Sequence, residues 1–520
     1  MSSSARHVLA IDLGTSGPKV ALVSETGEVA AHAARSVPIR FLPPLGAEQD
    51  PEEIWRAIRS AVGEVLGNAG LARDAIVAVA CTSQYSSVVP VDSDGAPTTN
   101  LLLWMDGRGG PHATALLERH PDAFVRWLDV HAFPPLSSGT DSLSKMLWVR
   151  NEHPEIWKRT RCFFEPMDWL LMRLTGRFTA NVGTAFTMLL TDNRDLGSLE
   201  WAAELLELAG IDRDKLPQLV PPNSVIGMLR PAVAAELDLS PATKVLSGTN
   251  DTQAAALATA TFRPGGGAIN VGTTGQALAH LDSRKSDLEN ALVSMPSPLA
   301  GRYMVMAENG IAAKALDHFL RAVVFASDAL ADSATGDPFA GVDRLVTNAP
   351  AGAGGLIFLP WLAGTGSPDT NPNARAAFVN ISLETDRARM VGAILEGVGF
   401  SLKRILPAVE RLAGGDFAEL RFSGGGARSD AWAQILADVL DRPVLPLADP
   451  VHSNNRASAL LAFAALGIAD VEEVDRFCPV RNRFEPRAPN RAVYDDLFGQ
   501  FQATYEALRP VFDALNSPNR

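Results

Sequence analysis

The sequence predicts an α/β protein of two similar domains, each with a mixed β-sheet flanked by helices. The chain has 520 residues, which is more than a single hydrophobic core usually serves. A Gly-Thr turn in "IDLGTSGPKV" (Ile11–Val20) is repeated near mid-chain as "INVGTTGQAL" (Ile269–Leu278). Short β-rich blocks alternate with amphipathic segments in both halves, a pattern typical of α/β folds. The repeated turn therefore favours two domains of one topology.

The first half predicts its elements in a clear order. "HVLAIDLGTSGPKVALVSETGEVAAHAA" has the apolar blocks of three strands, joined by turns at the Gly-Thr motif and at "ETGE". Val20–Val23, after the Gly-Thr turn, is too short and β-rich for a helix, whereas P-loops and dinucleotide folds place a helix there. Asp50–Gly70 has an acidic first turn, apolar residues at three/four spacing and a Gly stop, which predicts a helix. Ile76–Ser83 is predicted to be a buried strand.

The second half repeats this alternation of strands and helices. Lys244–Asp251 and Glu419–Ala427 are predicted to be buried strands that end in polar or Gly-rich turns. Ser429–Pro443 begins with Ser-Asp, carries an apolar stripe and ends at Pro, as a helix would. Ala492–Leu515 is predicted to be a helix as well. The predicted division of the chain has three parts: residues 1–243, residues 244–480 and a C-terminal helical tail, 481–520.

The composition narrows the class of protein and of partner. The formal net charge is −13 and no block of Lys and Arg occurs, so we expect neither a nucleic-acid partner nor binding to an anionic membrane. Cys81, Cys162 and Cys478 lie far apart without CxxC spacing, which indicates buried thiols rather than disulfides. "MSSSARH" lacks the apolar run of a secretion signal. We therefore expect a cytoplasmic protein.

Each Gly-Thr turn can gather several backbone N–H groups and hydroxyls in one concavity, which suits phosphate oxygens. Two such turns, one from each domain, could hold a polyphosphate from both sides. The first turn follows Asp12, whereas the second follows Asn270. One carboxylate facing the phosphates can hold hydrated Mg²⁺, while a second carboxylate would repel a nucleotide. The alternative is that each turn is only a hairpin connection.

Two further turns carry candidate functional residues. Asp251 lies between a predicted strand and an Ala-rich helix that begins near Thr252. It is either the helix N-cap, a position that Asp favours, or a general base that accepts the proton of an attacking hydroxyl in phosphoryl transfer. "FSGGGARSDAW" places Gly424–Gly426 at a strand-to-helix turn. These glycines either form a tight turn or let a base or ribose pack against bare backbone.

In combination, these motifs make the chain resemble the FGGY carbohydrate kinases of the sugar kinase/Hsp70/actin superfamily. The likeness runs from about Val8 to Phe477 and includes "DLGTSGPKV", "LLWMDGRG", "MDWLLMRLTG", "GTND", "INVGTTG", "FLPWLAGTGSPDTNPNARAAF" and "SGGGARSDAWAQILADVLDRPV". It implies two ribonuclease H-like (actin-like ATPase) domains, with ATP and Mg²⁺ bound in the cleft between them. It also implies phosphorylation of a sugar or polyol hydroxyl.

The resemblance implies roles for individual residues. Asp251 would be the catalytic base, and Asp12 would hold Mg²⁺ through water. The predicted ATP-binding residues come from three turns: Gly14, Thr15, Ser16, Lys19, Gly272, Thr273, Thr274, Gly424, Gly425, Gly426, Ala427 and Ser429. The predicted sugar-binding residues are Gln84, Tyr85, Trp104, Asp106, Arg108, Asp251 and Thr252.

The sugar pocket departs from the family pattern, whereas Asp12, both turns and Asp251 are retained. Tyr85 and Ser86 stand where xylulokinases usually have a Met-His pair, and Thr252 stands where many of them have Asn. The absent His removes one contact that selects the sugar. The catalytic parts are therefore expected to be intact and the pocket to be altered.

We therefore predict a carbohydrate kinase that phosphorylates a ketose of the pentulose (xylulokinase-like) class with ATP. The alternatives are a polyol kinase of the glycerol or erythritol type, and an actin-like nucleotide switch without a sugar substrate. Polar residues around Gln84 and in "WMDGR" favour a sugar pocket over a switch. Within that stretch, Asp106 and Arg108 could instead form a surface ion pair, and Trp104 could pack in the core. The expected partner is a small molecule, and family likeness implies a homodimer.

Overall fold

A computed structural model of the chain describes residues 5–326, 337–347 and 349–516. Strands and helices alternate through this part of the chain, as the sequence predicts. None of the described helices is both long and apolar enough to cross a bilayer. The cysteines are free and buried, which confirms that prediction.

The strands of the described residues pair into two large sheets and several small ones. In chain order they are β1 (His7–Gly14), β2 (Gly17–Ser24), β3 (Val29–Ala34), β4 (Arg40–Leu42), β5 (Gly46–Gln49), β6 (Ile76–Ser83), β7 (Val89–Val91), β8 (Leu101–Leu102), β9 (Cys162–Phe164), β10 (Thr179–Asn181), β11 (Gln218–Val220), β12 (Val225–Met228), β13 (Lys244–Leu246), β14 (Thr249–Asn250), β15 (Gly267–Val271), β16 (Thr274–Leu281), β17 (Ser286–Asp287), β18 (Leu292–Pro296), β19 (Tyr303–Ile311), β20 (Ile357–Leu359), β21 (Ala377–Val379), β22 (Leu420–Ser423) and β23 (Val444–Pro446).

The α-helices of the described residues lie between these strands and after them. In chain order they are α1 (Pro51–Ala69), α2 (Gly110–Arg119), α3 (Ala123–Val130), α4 (Ser142–Glu152), α5 (Pro154–Arg159), α6 (Pro166–Thr175), α7 (Val182–Ala185), α8 (Ala203–Ala209), α9 (Pro231–Glu236), α10 (Asp251–Ala258), α11 (Ala313–Phe319), α12 (Val342–Thr347), α13 (Arg387–Ala413), α14 (Asp430–Leu440), α15 (Ser453–Ala465), α16 (Val474–Phe477) and α17 (Ala488–Asn516).

These elements fall into two compact units. The first unit takes in the chain up to Ala258, together with Met295–Tyr303 and His452–Cys478. The second unit takes in Thr259–Ser294, Met304–Val451 and the chain from Pro479 onwards.

The division differs from the predicted boundary after residue 243. Lys244–Ala258 belongs to the first unit, because β13 and β14 both pair in parallel with β6. Helix α15 also belongs to the first unit, where it packs against β1 and α10. The region 481–520 is predicted as a separate tail, but its described residues, 481–516, belong to the second unit. The linear division fails because the chain returns to the first unit after it has built most of the second.

The main sheet of the first unit has the strand order β12-β13-β6-β1-β2-β3, and β14 also pairs with β6. Strand β1 is antiparallel to β2 and parallel to β6, so the sheet is mixed, as predicted. Helix α1 packs against β2 and β3. The Asp50 side chain caps its N-terminus, and Gly70 ends it in the left-handed conformation with a φ of 61°. Both signals were readable in the sequence.

The main sheet of the second unit has the strand order β17-β18-β19-β16-β15-β22-β23. Strand β15 is antiparallel to β16 and parallel to β22. Strands β1, β2 and β6 of the first unit have the same arrangement. The repeated Gly-Thr turn therefore marks a repeated topology, which confirms the predicted two-domain α/β fold.

Helix α17 confirms the predicted C-terminal helix and extends it at both ends. Its Tyr494, Phe501 and Tyr505 are buried in a cluster with Trp361. The Trp361 ring lies 5.4 Å from that of Phe501 and 4.7 Å from that of Tyr505, centroid to centroid. Because large aromatic side chains bury much apolar surface, this cluster holds the C-terminal helix within the second unit.

Helix α13 buries a carboxyl group at Glu396. Its Oε1 accepts hydrogen bonds from the Gly352 backbone N–H at 2.8 Å and from the Tyr494 hydroxyl at 2.9 Å. Its Oε2 has no hydrogen-bond partner in the described residues. Burial raises the pKa of Glu396 from 4.5 to about 7, although both hydrogen bonds lower it. The folded state therefore holds more protons than the unfolded state between these pH values, and stability falls as pH rises through that window.

Replacing Glu396 by Gln should remove this part of the pH dependence. The shift corresponds to about 3 kcal/mol. The unfolding free energy of the wild type, relative to Glu396→Gln, should fall by up to that amount between pH 5 and pH 8. Urea unfolding at steps of pH measures the difference, with Glu506→Gln on an exposed position as control. The same pH dependence in the wild type and in Glu396→Gln would contradict the interpretation.

Candidate active site

The first Gly-Thr turn joins β1 to β2 and sets a buried acid opposite a lysine. Strand pairing places Asp12 opposite Lys19, and Lys19 Nζ lies 3.1 Å from Asp12 Oδ2. Asp12 is only 2% exposed, and its Oδ1 accepts a hydrogen bond from the Thr82 hydroxyl at 2.8 Å. The Asp12 carboxylate raises the pKa of Lys19, and the charge of Asp251 adds to this effect. Lys19 is therefore paired with Asp12 and also lies within the electrostatic field of Asp251.

The Thr15 hydroxyl in this turn is engaged by the protein itself. It donates a hydrogen bond to Gln84 Oε1 at 2.8 Å and accepts one from Trp104 Nε1 at 3.0 Å. A phosphate contact from this turn would therefore come from backbone N–H groups or from the exposed Ser16. Trp104 is 39% exposed, so the alternative that it packs in the core is wrong. The structure therefore brings Thr15 of the first Gly-Thr turn into contact with Gln84 and Trp104, which are two of the predicted sugar-binding residues.

Gln84 and Tyr85 are the first two residues after β6. Gln84 is 3% exposed, yet its Nε2 has no hydrogen-bond partner in the described residues. An unsatisfied buried donor costs about 1–3 kcal/mol, so such an atom is suited to a ligand acceptor. The Tyr85 hydroxyl lies 3.3 Å from the Thr252 hydroxyl. The loop after β6 is thereby connected to the residue that follows Asp251.

Asp106 and Arg108 form an ion pair, but it is largely buried and not the surface pair that was the alternative to a sugar-binding role. Arg108 donates to both Asp106 oxygens and to Glu48 Oε1, the last at 2.6 Å. The guanidinium also lies 4.1 Å from the centre of the Trp148 ring. Burial lowers the pKa of Arg108, but the hydrogen bonds that it donates to Asp106 and Glu48, together with their charges, raise the pKa by more. The charge of Arg108 is thus compensated twice within the protein.

Asp251 begins α10, but the capping role belongs to its neighbour. Asn250 Oδ1 accepts the backbone N–H of Gln253 at 2.7 Å, and Gln253 Oε1 accepts the backbone N–H of Asn250 at 3.1 Å. This reciprocal pair is a capping box. Asp251 is half-buried in the first turn of the helix, where its Oδ1 accepts from the Thr252 N–H at 2.8 Å. Capping therefore does not account for an acid at this position.

The second Gly-Thr turn joins β15 to β16 with a different register. Strand pairing places Asn270 opposite Gln276, and Asn270 Nδ2 donates to Gln276 Oε1 at 3.0 Å. An aspartate could not donate this bond, which gives a structural reason for Asn at the position that corresponds to Asp12. Within the turn, Thr273 is exposed, and a Cβ at Gly272 would meet nothing within 4 Å. The turn is therefore open to a ligand.

The Gly-rich turn after β22 lies directly against the second Gly-Thr turn. A Cβ at Gly424, which has a φ of +86°, would come within 2.4 Å of Asn270 Oδ1. A Cβ at Gly426 would lie 3.0 Å from Val271 Cγ1, whereas one at Gly425 would meet nothing within 4 Å. Gly424 is thus required by packing, and Gly425 is the open glycine.

Two predicted ATP-binding residues beyond this turn have structural roles in the fold. Ala427 is fully buried. The Ser429 hydroxyl accepts from the Trp432 N–H at 2.9 Å as the cap of α14, and it donates to Asp343 at 2.5 Å. The Ser429 hydroxyl is therefore engaged within the protein, and the Ala427 side chain has no polar atom to offer a nucleotide.

Sequence reasoning missed two residues near the predicted ones in the first unit and one in the second unit. Thr82 binds Asp12, Asn250 caps α10, and Glu308 in β19 contacts the second Gly-Thr turn. Of these three residues, only Glu308 could have been noticed in the sequence, because it is a lone carboxylate in the apolar strand sequence "YMVMAENGI".

The donor set around Asp12 fits a cation that is bound through water. No group of three or more His, Cys, Asp or Glu residues in the described part of the chain is arranged to hold a metal ion. A carboxylate can accept about four hydrogen bonds, and two of these positions on Asp12 are taken. Mg²⁺ usually keeps several waters and binds one or two carboxylates plus substrate phosphates. Asp12 fits that pattern.

Comparison with known proteins identifies the family. The description "FGGY family of carbohydrate kinases, N-terminal domain" matches residues 7–258, and the corresponding C-terminal domain matches residues 267–466. The chain therefore belongs to the FGGY family of carbohydrate kinases.

Individual relatives agree in the class of enzyme and differ in the named sugar. The chain is similar to a xylulose kinase from Bacillus subtilis (strain 168), with 28% identity over 98% of this chain and 99% of that protein. A gluconokinase from the same strain is 25% identical over 98% of this chain and 95% of its own length. The crystal structure of a xylulose kinase from Rhodospirillum rubrum has a TM-score of 0.82 at 27% identity, over 98% of this chain and all of that one. The chain is thus a sugar kinase, and its family implies ATP as co-substrate.

The two neighbouring glycines should respond differently to an added methyl group. Gly424→Ala should lower stability by about 2 kcal/mol or more, because it combines a steric clash with a left-handed backbone. Gly425→Ala should change stability by less than about 0.5 kcal/mol and weaken ATP binding about tenfold by blocking close approach. Thermal unfolding and titration calorimetry with ATP measure the two effects. Unchanged ATP affinity in a stable Gly425→Ala protein would contradict a nucleotide contact there.

Proposed function

We propose that this enzyme transfers the γ-phosphoryl group of ATP to a hydroxyl of a neutral ketose of the pentulose class, with Asp251 as general base. The observation that carries the proposal is the capping box beside Asp251. Because Asn250 caps the helix, Asp251 is not needed as the cap, which supports a role for it as the general base. The charges of Asp12 and Asp251 both raise the pKa of Lys19. The proposed base and the proposed metal-binding acid therefore belong to one cluster of charged residues.

In this mechanism Asp251 accepts the proton of the acceptor hydroxyl as its oxygen attacks the γ-phosphorus. Protein groups in phosphoryl transfer mainly position the reactants and stabilise charge. When bound, Mg²⁺ neutralises charge on the phosphates, and Asp12 is the residue that would hold it through water. Lys19 keeps Asp12 and Asp251 from repelling each other in the same small volume.

The nucleotide contacts are proposed for the open parts of the turns. In the second unit, the Thr273 side chain and the backbone of Gly272 and Thr274 would contact phosphates, since the Thr274 hydroxyl donates to Glu308, and Gly425 would let the nucleoside approach bare backbone. Open positions at Gly272 and Gly425 support this assignment. In the first unit, the backbone of the first Gly-Thr turn is the proposed phosphate contact, since the Thr15 hydroxyl is engaged by Gln84 and Trp104.

The charges of the proposed sugar wall favour a neutral acceptor over a sugar acid. Arg108 is neutralised by Asp106 and Glu48, and Lys19 is paired with Asp12. Neither cation is available to a carboxylate such as that of gluconate without breaking an existing pair. The buried Nε2 of Gln84 is suited instead to a hydroxyl or carbonyl oxygen. A polyol would satisfy the same groups and is the second candidate.

A panel of acceptors tests the proposed function. ADP release would be measured with pentuloses, hexuloses, glycerol, erythritol and gluconate, each against a reaction without acceptor. A pentulose should give the highest kcat/KM, and gluconate should rank below the neutral sugars. Highest activity with gluconate would contradict the neutral-acceptor proposal. ADP release that no acceptor stimulates would contradict transfer to a sugar.

Replacing Asp251 by Asn should slow phosphorylation strongly and leave the fold intact. General-base catalysis contributes about 10²–10⁴-fold, so we expect kcat to fall by about a thousandfold, while the affinity for ATP changes little. Steady-state kinetics and ATP calorimetry measure both quantities. The control is Asp94→Asn, an exposed aspartate on the first unit, which should behave as wild type. An active Asp251→Asn enzyme would refute the assignment of the base.

Gln84→Glu tests the acceptor contact separately from the nucleotide. The variant keeps an oxygen that can accept the hydrogen bond from the Thr15 hydroxyl and removes the unsatisfied Nε2 donor, so the KM for the acceptor should rise about tenfold, while the KM for ATP stays within about threefold. Initial rates over both substrate concentrations give the two constants. An equal rise of both KM values would indicate a general disturbance of the fold and would count against a direct contact.

A further inference from the structure

A buried carboxyl group contacts the second Gly-Thr turn from the neighbouring strand. Glu308 lies in β19, which is adjacent to β16 in the sheet. Its Oε2 accepts a hydrogen bond from the Thr274 hydroxyl at 3.2 Å and another from Gln276 Nε2 at 3.1 Å. One oxygen of Glu308 therefore binds both Thr274, at the end of the turn, and Gln276, which pairs with Asn270.

The contacts continue through neutral amides to the Gly-rich turn. Gln276 Oε1 accepts from Asn270 Nδ2 at 3.0 Å, and Asn270 Oδ1 accepts from the Ser423 hydroxyl at 3.4 Å. Ser423 is the last residue of β22 and precedes Gly424, whose backbone touches Asn270. A single chain of hydrogen bonds thus joins Glu308 to both turns that are proposed to hold ATP.

The environment of Glu308 suits a carboxyl group that lies close to phosphates. Burial raises its pKa, although the hydrogen bonds from Gln276 and Thr274 lower it. A raised pKa shifts the balance of this carboxyl group towards the neutral acid, which repels an anionic ligand less than a carboxylate does. The hydrogen-bond chain itself contains only amides and hydroxyls beyond Glu308.

We propose that Glu308 is a positioning residue for the nucleotide: it fixes the Thr274 hydroxyl and, through Gln276 and Asn270, the strand end that leads into Gly424. This inference rests on the proposed function, in which the two turns bind ATP. We expect Glu308 to affect the binding of ATP and not that of the acceptor, because its hydrogen bonds lead to the two turns that are proposed to bind the nucleotide.

The chain of contacts makes two variants of Glu308 informative. Glu308→Gln retains an oxygen that can accept both hydrogen bonds, so it should keep the KM for ATP within about threefold of wild type. Glu308→Met has a similar length and no comparable acceptor, so it should raise the KM for ATP about tenfold. Neither variant should move the KM for the acceptor by more than about twofold.

A double-mutant cycle tests whether Glu308 acts through Thr274. Thr274→Val should weaken ATP binding in the wild type, and it should have a much smaller effect in Glu308→Met, since residues in one network are not additive. Titration calorimetry with Mg·ATP gives the four affinities without an acceptor. Glu506→Ala, an exposed glutamate of the same unit, is the control for the loss of a carboxylate.

The outcomes separate this inference from the proposed function. Selective loss of ATP affinity in Glu308→Met, its retention in Glu308→Gln and a non-additive cycle would support the positioning role. Unchanged ATP affinity in Glu308→Met, an equal loss in both variants, or full additivity would overturn it. If Glu308→Met does not fold, the comparison of Glu308→Gln with Glu308→Ala decides in the same way. A wild type that binds no ATP would instead refute the proposed function.

Discussion

The capping box at the start of α10 is the constraint on which the candidate active site depends. Asn250 and Gln253 exchange two hydrogen bonds, and the Gln253 amide also donates to the carbonyls of Gly183 and Pro296. The helix N-terminus is therefore satisfied and anchored without Asp251. An acid held at the first turn of a rigid helix, beside the Asp12–Lys19 pair, has the fixed position that a general base needs.

The two Gly-Thr hairpins share a topology but differ in their polar contacts. In the first unit, Asp12 is bound by an ammonium group and a hydroxyl, so charge is concentrated and compensated locally. In the second unit, Asn270 is bound through Gln276 to the buried carboxyl group of Glu308, so the direct partner of Asn270 is a neutral amide. This difference fits the proposal that the first unit supplies the metal-binding acid and the base, whereas the second Gly-Thr turn binds phosphates.

Much of the fold follows from local sequence signals, whereas the site depends on contacts that a single sequence does not contain. Helix α1 is bounded by Asp50 and Gly70, whose conformations the sequence predicts. The choice between Asn250 and Asp251 as the cap is different, because both residue types cap well and only the backbone geometry distinguishes them. Lys244–Ala258 was assigned to the wrong domain because strand pairing with β6 is non-local. Glu308 was missed because its partner lies 34 residues away.

The central claim is that Asp251 directs the phosphoryl group to an alcohol rather than to water. The most direct measurement is ³¹P NMR of the wild-type enzyme with Mg·ATP and a neutral pentulose, which resolves sugar phosphate from inorganic phosphate. The account predicts that sugar phosphate appears in equal amount to ADP, with little free phosphate. ADP accompanied only by inorganic phosphate, for every pentulose and polyol tried, would contradict it.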